Sequence, residues 1–321
     1  MDLIKLRKVM YKAIKLSFII FTTFLIFPSC GYSQMETAVD IEKTFSGIEE
    51  IEINGGFLEV TYEGRENDGE VFLNAYLESN RKDDYDIVYR VDGKKLKVEL
   101  KRLKSSGGSN NNSGFISLTG PENVRLNVTN SSGRMFISGL TNREATFKCS
   151  SGRIDLKNLM VDNIKINASS GKIDGHLLGG NVNCTISSGS VNLEKVDGNV
   201  TLKGSSGRFA VKEVQGKVNT SMSSGSVTLE NIHELASATV SSGRIKGTDV
   251  GLGRDTELKT SSGSITLQTN DDLDDYNFDM RGSSGSLTVG NQKGKKRMHI
   301  DNRADATVRG SVSSGKISIT N

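Results

Sequence analysis

The chain has 321 residues, of which 35% are hydrophobic, 25% charged and 6% aromatic, enough to bury a sizeable core. Its 35 Gly fall far short of the one residue in three that a collagen-like chain needs, and its low net charge argues against wholesale disorder. With 3 Cys it is no disulfide-dense scaffold.

Residues 1–16 carry Lys5, Arg7, Lys8, Lys12 and Lys15, and an apolar run follows from Ser17 to Phe27. That run is too short to cross a bilayer core of about 30 Å but has the length of a signal-peptide apolar region, so residues 1–33 are read as an export signal. Two processing sites compete. Pro28-Ser29-Cys30-Gly31 is a loose lipobox with Cys30 as the lipidated residue, although Phe27 stands where Leu is usual. Alternatively, Gly31 and Ser33 are the small residues of an ordinary cleavage before Gln34. Either route exports the protein to the periplasm or the outer membrane. Residues 1–33 hold five of the 41 basic residues and one of the 38 acidic ones, leaving 36 minus 37, or −1. The basic balance therefore belongs to the signal, and a nucleic-acid partner, which needs a basic stripe, loses its support.

Residues 34–102 are read as a β-rich cap. Alternation runs through Ile51/Ile53, Leu58/Val60/Tyr62, Val71/Leu73/Ala75, Ile87/Tyr89/Val91 and Leu96/Val98/Leu100, with turns at Gly55-Gly56 and Asp92-Gly93. Such a segment would cover the open strand edge of whatever follows. Residues 103–113, rich in Ser, Gly and Asn, are read as a flexible loop.

From residue 114 to 321 a repeat governs the chain. Ser-Ser-Gly occurs with its Gly at 133, 152, 171, 189, 207, 225, 243, 263, 285 and 315, and the variant Asn112-Ser113-Gly114 stands one period earlier. The intervals are 19, 19, 19, 18, 18, 18, 18, 20, 22 and 30 residues. Counting each Gly as zero, apolar residues recur at +2, +4 and +7, then at +11, +13 and +15. The unit at Gly189 gives Val191, Leu193, Val196, Val200 and Leu202; the unit at Gly207 gives Phe209, Val211, Val214, Val218 and Met222. Two period-2 stretches mean two short strands per unit, each with one buried face. A second turn, such as Asp197-Gly198 or Gln215-Gly216, separates them, and the corner Gly is expected at φ > 0.

Identical tripeptides at one phase stack naturally only when successive units lie parallel and in register. The expected fold is therefore all-β: a parallel β-solenoid of about eleven coils of 18–20 residues, with strands about 4.8 Å apart, ladders of Ser hydroxyls at the corners and an N-terminal β-rich cap. The motif Ser-Ser-Gly-x-Ile/Val/Leu at this spacing, behind an alternating N-terminal region, resembles the bacterial putative-adhesin domain of unknown function, related to the head-GIN and toastrack-type β-solenoids of cell envelopes. The resemblance spans about residues 41–321. It implies an envelope location, adhesion or envelope-stress roles, and no catalytic residues.

The outward positions +1, +3 and +5 form ladders across coils. Three successive coils present Arg134-Phe136-Ser138, Arg153-Asp155-Lys157 and Lys172-Asp174-His176 in one sequence of triplets taken at alternate residues. Asp155 and Asp174 should stack about 5 Å apart, a separation near that of the paired carboxylates of a retaining glycosidase. The plainer reading is a salt-bridge lattice in which Arg153 and Lys172 neutralise the two acids. A surface ligand patch of Arg134, Arg153, Asp155, Lys172, Asp174 and His176 is the third reading. The histidines, His176, His233 and His299, fall at different phases, so no metal site is expected. The acidic run Asp271-Asp272-Leu273-Asp274-Asp275 is read as a solvated turn. Cys149 and Cys184 occupy core phases two coils apart, about 10 Å, which predicts two free buried thiols. Lys293, Lys295, Lys296 and Arg297 sit in a lengthened interval, as a solvated loop or a contact for anionic lipid.

No cofactor pattern is read. The function expected is a non-enzymatic, adhesin-like envelope scaffold that binds envelope glycans or proteins and touches membrane only through Cys30. The alternatives are an envelope-stress or regulatory sensor and, more remotely, a polysaccharide-active enzyme. The strand at Lys316–Ile319, near the terminus, also suggests end-to-end self-association through an exposed last coil, unless the insertion at 290–307 folds over it.

Overall fold

The computed structural model describes residues 34–66, 69–104 and 111–321. Residues 1–33, Cys30 among them, and most of the Ser/Gly/Asn loop lie outside them. Within the repeat, each Ser-Ser-Gly corner joins two strands that face one another across a shared core, and successive coils pair in parallel. Residues of the strand after one corner lie opposite those after the next without slippage: Arg134 pairs with Arg153, Arg153 with Lys172, and Lys172 with Ser190. The strand before each corner keeps the same register, Phe147 to Ile166 to Cys184 to Leu202. This is the parallel solenoid that the period demands.

The core is the apolar column predicted at +2, +4, +7, +11, +13 and +15. Val191, Leu193, Val196, Val200 and Leu202 are buried, as are Phe209, Val211, Val214, Val218 and Met222 one coil on. Full burial of each such side chain contributes about 1.5–3 kcal/mol, the main favourable term in every coil.

Close approach, more than dihedral freedom, makes Gly necessary at the corners. Only Gly171, Gly189, Gly207 and Gly225 among them have φ in the positive range, at 130°, 131°, 137° and 117°. In contrast, a Cβ at almost any corner would strike the backbone of the coil below. It would lie 2.1 Å from the Gly189 carbonyl oxygen at Gly207, 2.2 Å from that of Gly225 at Gly243, and 1.9 Å from that of Gly263 at Gly315. The backbone satisfies itself along the same line, with Ser188 N donating to Ser169 O at 2.8 Å and Ser206 N to Ser187 O at 2.8 Å. The corner Ser side chains stay exposed, and the ladder they were expected to form is carried by these backbone bonds instead.

A longer run of positive φ lies away from the corners. Position +6 is left-handed in coil after coil: Gly139 (68°), Asn158 (55°), Leu177 (56°), Lys195 (60°), Glu213 (53°), Asn231 (53°) and Asp249 (56°). This bend carries the chain out of the first strand toward the second. A second stack, of asparagines, follows it: Asn199 Nδ2 donates to Asn181 Oδ1 at 3.0 Å, and Lys217 N to Asn199 Oδ1 at 2.8 Å.

Both ends depart from simple chain order. At the N-terminal end, Glu50–Gly56 and Glu59–Arg65 form a coil within the stack. The first lies parallel between Lys95–Arg102 and Arg125–Asn130, and the second between Asn112–Pro121 and Arg134–Cys149. Its corner is Gly55 to Leu58, where Ser131 N donates to Gly56 O at 2.6 Å and a Cβ on Gly133 would lie 1.9 Å from Leu58 O. Asn112-Ser113-Gly114 is no corner. It belongs to the strand Asn112–Pro121, antiparallel to Glu70–Ser79, and its Gly114 packs against the backbone of Tyr76. The outermost strands here are Glu36–Ser46 and Tyr85–Asp92.

At the C-terminal end the last coil in sequence is the penultimate one in space. Lys316–Thr320 pairs in parallel with Ser264–Gln268 on one side and Ser286–Val289 on the other. Ala306–Val312 is likewise held between the end of Arg244–Thr260 and Tyr276–Gly282. The expectation of an exposed terminal strand available for end-to-end pairing is thus overturned: Lys316–Ile319 has a partner on each edge. The outer boundary is made by Gln292–Gly294 and Arg297–Ile300, which run antiparallel to the coil beneath. Lys293, Lys295, Lys296 and Arg297 lie on and between these short strands, where charge discourages pairing with another molecule.

The corner packing makes a direct prediction. Gly207→Ala should destabilise the protein by about 1–3 kcal/mol, because the new methyl group has a backbone oxygen as its neighbour and cannot displace it without opening the coil. Gly69→Ala, which meets nothing within 4 Å, should leave urea stability unchanged. Equal urea midpoints for the two variants would contradict the packing.

Candidate functional site

Because +2 and +4 face inward, +1, +3 and +5 of the strand after each corner form a continuous outer wall. The register brings the six residues singled out in the sequence onto three neighbouring strands of it. Arg134 Nε donates to Asp155 Oδ2 at 2.8 Å, and Arg153 Nε to Asp155 Oδ1 at 2.8 Å. Arg153 also reaches across the coil boundary, with a terminal nitrogen 2.9 Å from Asp174 Oδ2, and Lys172 Nζ stands 2.9 Å from the same oxygen. His176 Nδ1 lies 3.5 Å from Glu194 Oε2 one coil further on. Asp155 is buried under the two guanidinium groups, and its hydrogen bond raises the pKa of Arg153 still further above the physiological range.

Asp155 and Asp174 are direct cross-strand neighbours, as the ladder requires. A glycosidase needs one carboxyl group to pass a proton to the leaving oxygen and another to reach the sugar. Here Asp155 is engaged by Arg134 and Arg153, and Asp174 by Arg153 and Lys172, so both carboxylates are occupied within the wall. The adjoining depression, bordered by Phe136, Asp155, Asp174 and Glu194, is a shallow groove of about 260 Å3. The arrangement is a lattice of ion pairs that continues with Lys212 Nζ and Glu230 Oε2 at 2.7 Å.

The other polar features of the sequence are spread through the fold. His233 and His299 are exposed and distant in register from His176. The acidic run forms a short 3-10 turn, Leu273–Asp275, whose Asp272 side chain accepts from Asp274 N. Asp271 is taken up in holding the turn to the preceding coil, accepting from Leu252 N at 2.6 Å and from the Tyr276 hydroxyl at 3.0 Å. Burial, chiefly, and that carboxylate raise the Tyr276 pKa. Among the described residues no group of three or more His, Cys, Asp or Glu is placed to hold a metal ion, and no helix is long and apolar enough to cross a membrane.

Cys149 and Cys184 are free and buried, on strands separated by the one carrying Ile166. Gly152 N donates to Cys149 Sγ at 3.0 Å, so this thiol helps close a corner. Cys184 packs among apolar neighbours, and burial pushes its pKa up to about 12.

The sequence of the repeat is also matched by a family model. Toastrack DUF4097 aligns with residues 48–230 and again with residues 176–320. The chain belongs to the Toastrack DUF4097 family. Solved structures resemble the chain at low identity. The chain is similar to a "putative adhesin" from Parabacteroides distasonis, at 11% identity and TM-score 0.41, over 90% of this chain and 98% of that one. It is also similar to a "putative adhesin" from Parabacteroides merdae, at 12% identity and TM-score 0.40, over 91% and 98%. A "putative lipid binding protein" from Parabacteroides distasonis is similar at 15% identity and TM-score 0.35, over 91% and 98%. No curated protein matches.

The thiols supply the prediction here. Iodoacetamide at pH 8 should leave Cys184 unlabelled in the native toastrack domain and label it on denaturation. The unfolded chain ionises this thiol near pH 9.0 and the folded chain only near 12, so its contribution to stability is complete below pH 9.0 and lost as the pH rises toward 12. Rapid native labelling, or a mass showing a Cys149–Cys184 bridge, would contradict the register.

Proposed function

We propose that this toastrack protein is a non-enzymatic scaffold of the cell envelope, exported by its N-terminal segment and adhesin-like in presenting a long, regular wall to envelope glycans or proteins. The observation that carries the reading is the wall itself. Polar and charged side chains repeat in register along the coil axis, supported by an apolar core, and short antiparallel strands cover the C-terminal coil. Many weak contacts along such a surface add up for a polymer that follows it, in the way that linked sites gain avidity. The paired carboxylates that would serve hydrolysis are tied into ion pairs, which supports binding rather than turnover.

Anchoring at Cys30, or release after cleavage before Gln34, completes the proposal; in either case the wall stays in the envelope. The test uses the mature protein purified from an exporting host, offered an isolated cell-envelope fraction and a panel of envelope polysaccharides. Retention on envelope material without release of reducing sugar is expected, and the variant Asp155→Asn/Asp174→Asn should release no less and no more than the wild type. Hydrolysis by the wild type that disappears in that variant would replace the scaffold reading with an enzymatic one, and no retention on any envelope material would end it.

A further inference from the structure

The reordered C-terminal coils create a pattern on the wall that chain order hides. Followed through space, position +1 reads Lys172, Ser190, Arg208, Ser226, Arg244, Ser264, Lys316 and Ser286, each residue paired in register with the next. Cation and serine alternate without a break. In sequence, by contrast, Ser264 is followed by Ser286 and only then by Lys316, and the alternation is lost. Since neighbouring strands are about 4.8 Å apart, the cations recur about every 10 Å.

The two halves of this row differ in what neutralises them. Arg134, Arg153 and Lys172 are bound to Asp155 and Asp174. Arg208, Arg244 and Lys316 are exposed, and their side chains make no ion pair or hydrogen bond among the described residues. From Arg208 onward, position +3 holds Ala210, Thr228, Lys246, Thr266, Ser318 and Thr288, with no acid among them. At +5, Glu230 is already paired with Lys212. A groove of about 550 Å3 runs past Ser226, Arg244, Ser264 and Lys316, beside the exposed corner residues Ser242 and Ser262. Unpaired cations, hydroxyl groups and a groove thus coincide on one strip of a protein whose net charge after the export segment is −1 (36 basic minus 37 acidic).

We propose that this strip binds a linear acidic polysaccharide carrying its negative charge on alternate sugars, lying along the coil axis with one acidic group at each of Arg208, Arg244 and Lys316. The assignment rests on the scaffold reading above and gives it a ligand class. The +1 cations form a line, with Lys246 alone beside it at +3, which suits a polymer better than a lipid surface. Their spacing, two strands per charge, suits a disaccharide repeat with one acidic member. The intervening Ser226 and Ser264 and the corner hydroxyls supply hydrogen bonds to the neutral sugar. Each exposed contact is individually weak, so affinity comes from the row and falls as salt rises.

Hyaluronan, with a carboxylate on alternate sugars, is the probe; dextran and phosphatidylglycerol vesicles are the neutral-glycan and anionic-surface comparisons. The mature protein should bind hyaluronan in low salt, more weakly in high salt, and above either comparison. The variant Arg208→Gln/Arg244→Gln/Lys316→Gln should bind about tenfold more weakly, the loss expected of three exposed ion contacts of modest strength. Lys293→Gln/Lys295→Gln/Lys296→Gln, an equal loss of charge on the end strands, should bind as the wild type does. All three proteins should show the same urea midpoint. Absence of hyaluronan binding, equal weakening by the two triple variants, or preference for dextran or vesicles would overturn the assignment. Capture of the envelope fraction with no hyaluronan binding overturns this ligand class alone and leaves the scaffold standing; hyaluronan binding without envelope capture does the reverse.

Discussion

The carbonyl oxygen of each corner glycine fills the space where the next corner's Cβ would be. From Gly133 to Gly263 and on to Gly315, the coils approach so closely that only a hydrogen atom fits between them. That contact fixes the register, because a shift of one residue would drive a Ser side chain into the backbone below and turn the buried face outward. It also fixes the ladders. Val over Ile over Val inside, and cation over carboxylate outside, both follow from glycines standing over glycines. The outer wall is consequently a property of the corner and owes little to any single pair of charged residues.

The interior of the repeat was legible because its period is short and almost constant. Eighteen or nineteen residues close one coil, so positions read from each Gly land on their neighbours, and Arg153 between Asp155 and Asp174 could be placed without coordinates. The ends were not legible for the same reason. Where the spacing grows to 22 and then 30 residues, the extra chain builds the Leu273–Asp275 turn and the Gln292–Gly294 and Arg297–Ile300 strands. These let the final coil enter beneath its predecessor. A count of intervals reports that residues were added and says nothing about which coil lies outermost. At the other end, Gly55 to Leu58 turns a corner without the tripeptide, while Asn112-Ser113-Gly114 imitates it within a straight strand.

The left-handed bend at +6 was hidden for a different reason. Asn158, Leu177, Lys195, Glu213, Asn231 and Asp249 have no side-chain chemistry in common, and three of them are residues that rarely favour that conformation. Coil closure imposes the bend, and the cost is met by the burial on either side of it. Of the candidate site, the ion-pair lattice could be read from spacing, whereas the unpaired cationic strip could not. Its last cation, Lys316, joins only because that residue lies beside Ser264, and that adjacency is a fact of topology. On the proposed reading, the division of the wall into a neutralised half and an open half gives the scaffold a direction and a preferred end.

Distances between paired spin labels along the +1 row test the stacked-corner account most directly. With one label at Ser190 and the second in turn at Ser264, Lys316 and Ser286, the account predicts separations rising in that order, at about 19, 24 and 29 Å by strand spacing. A longer distance to Lys316 than to Ser286, or distances that fail to grow by a constant step, would contradict it.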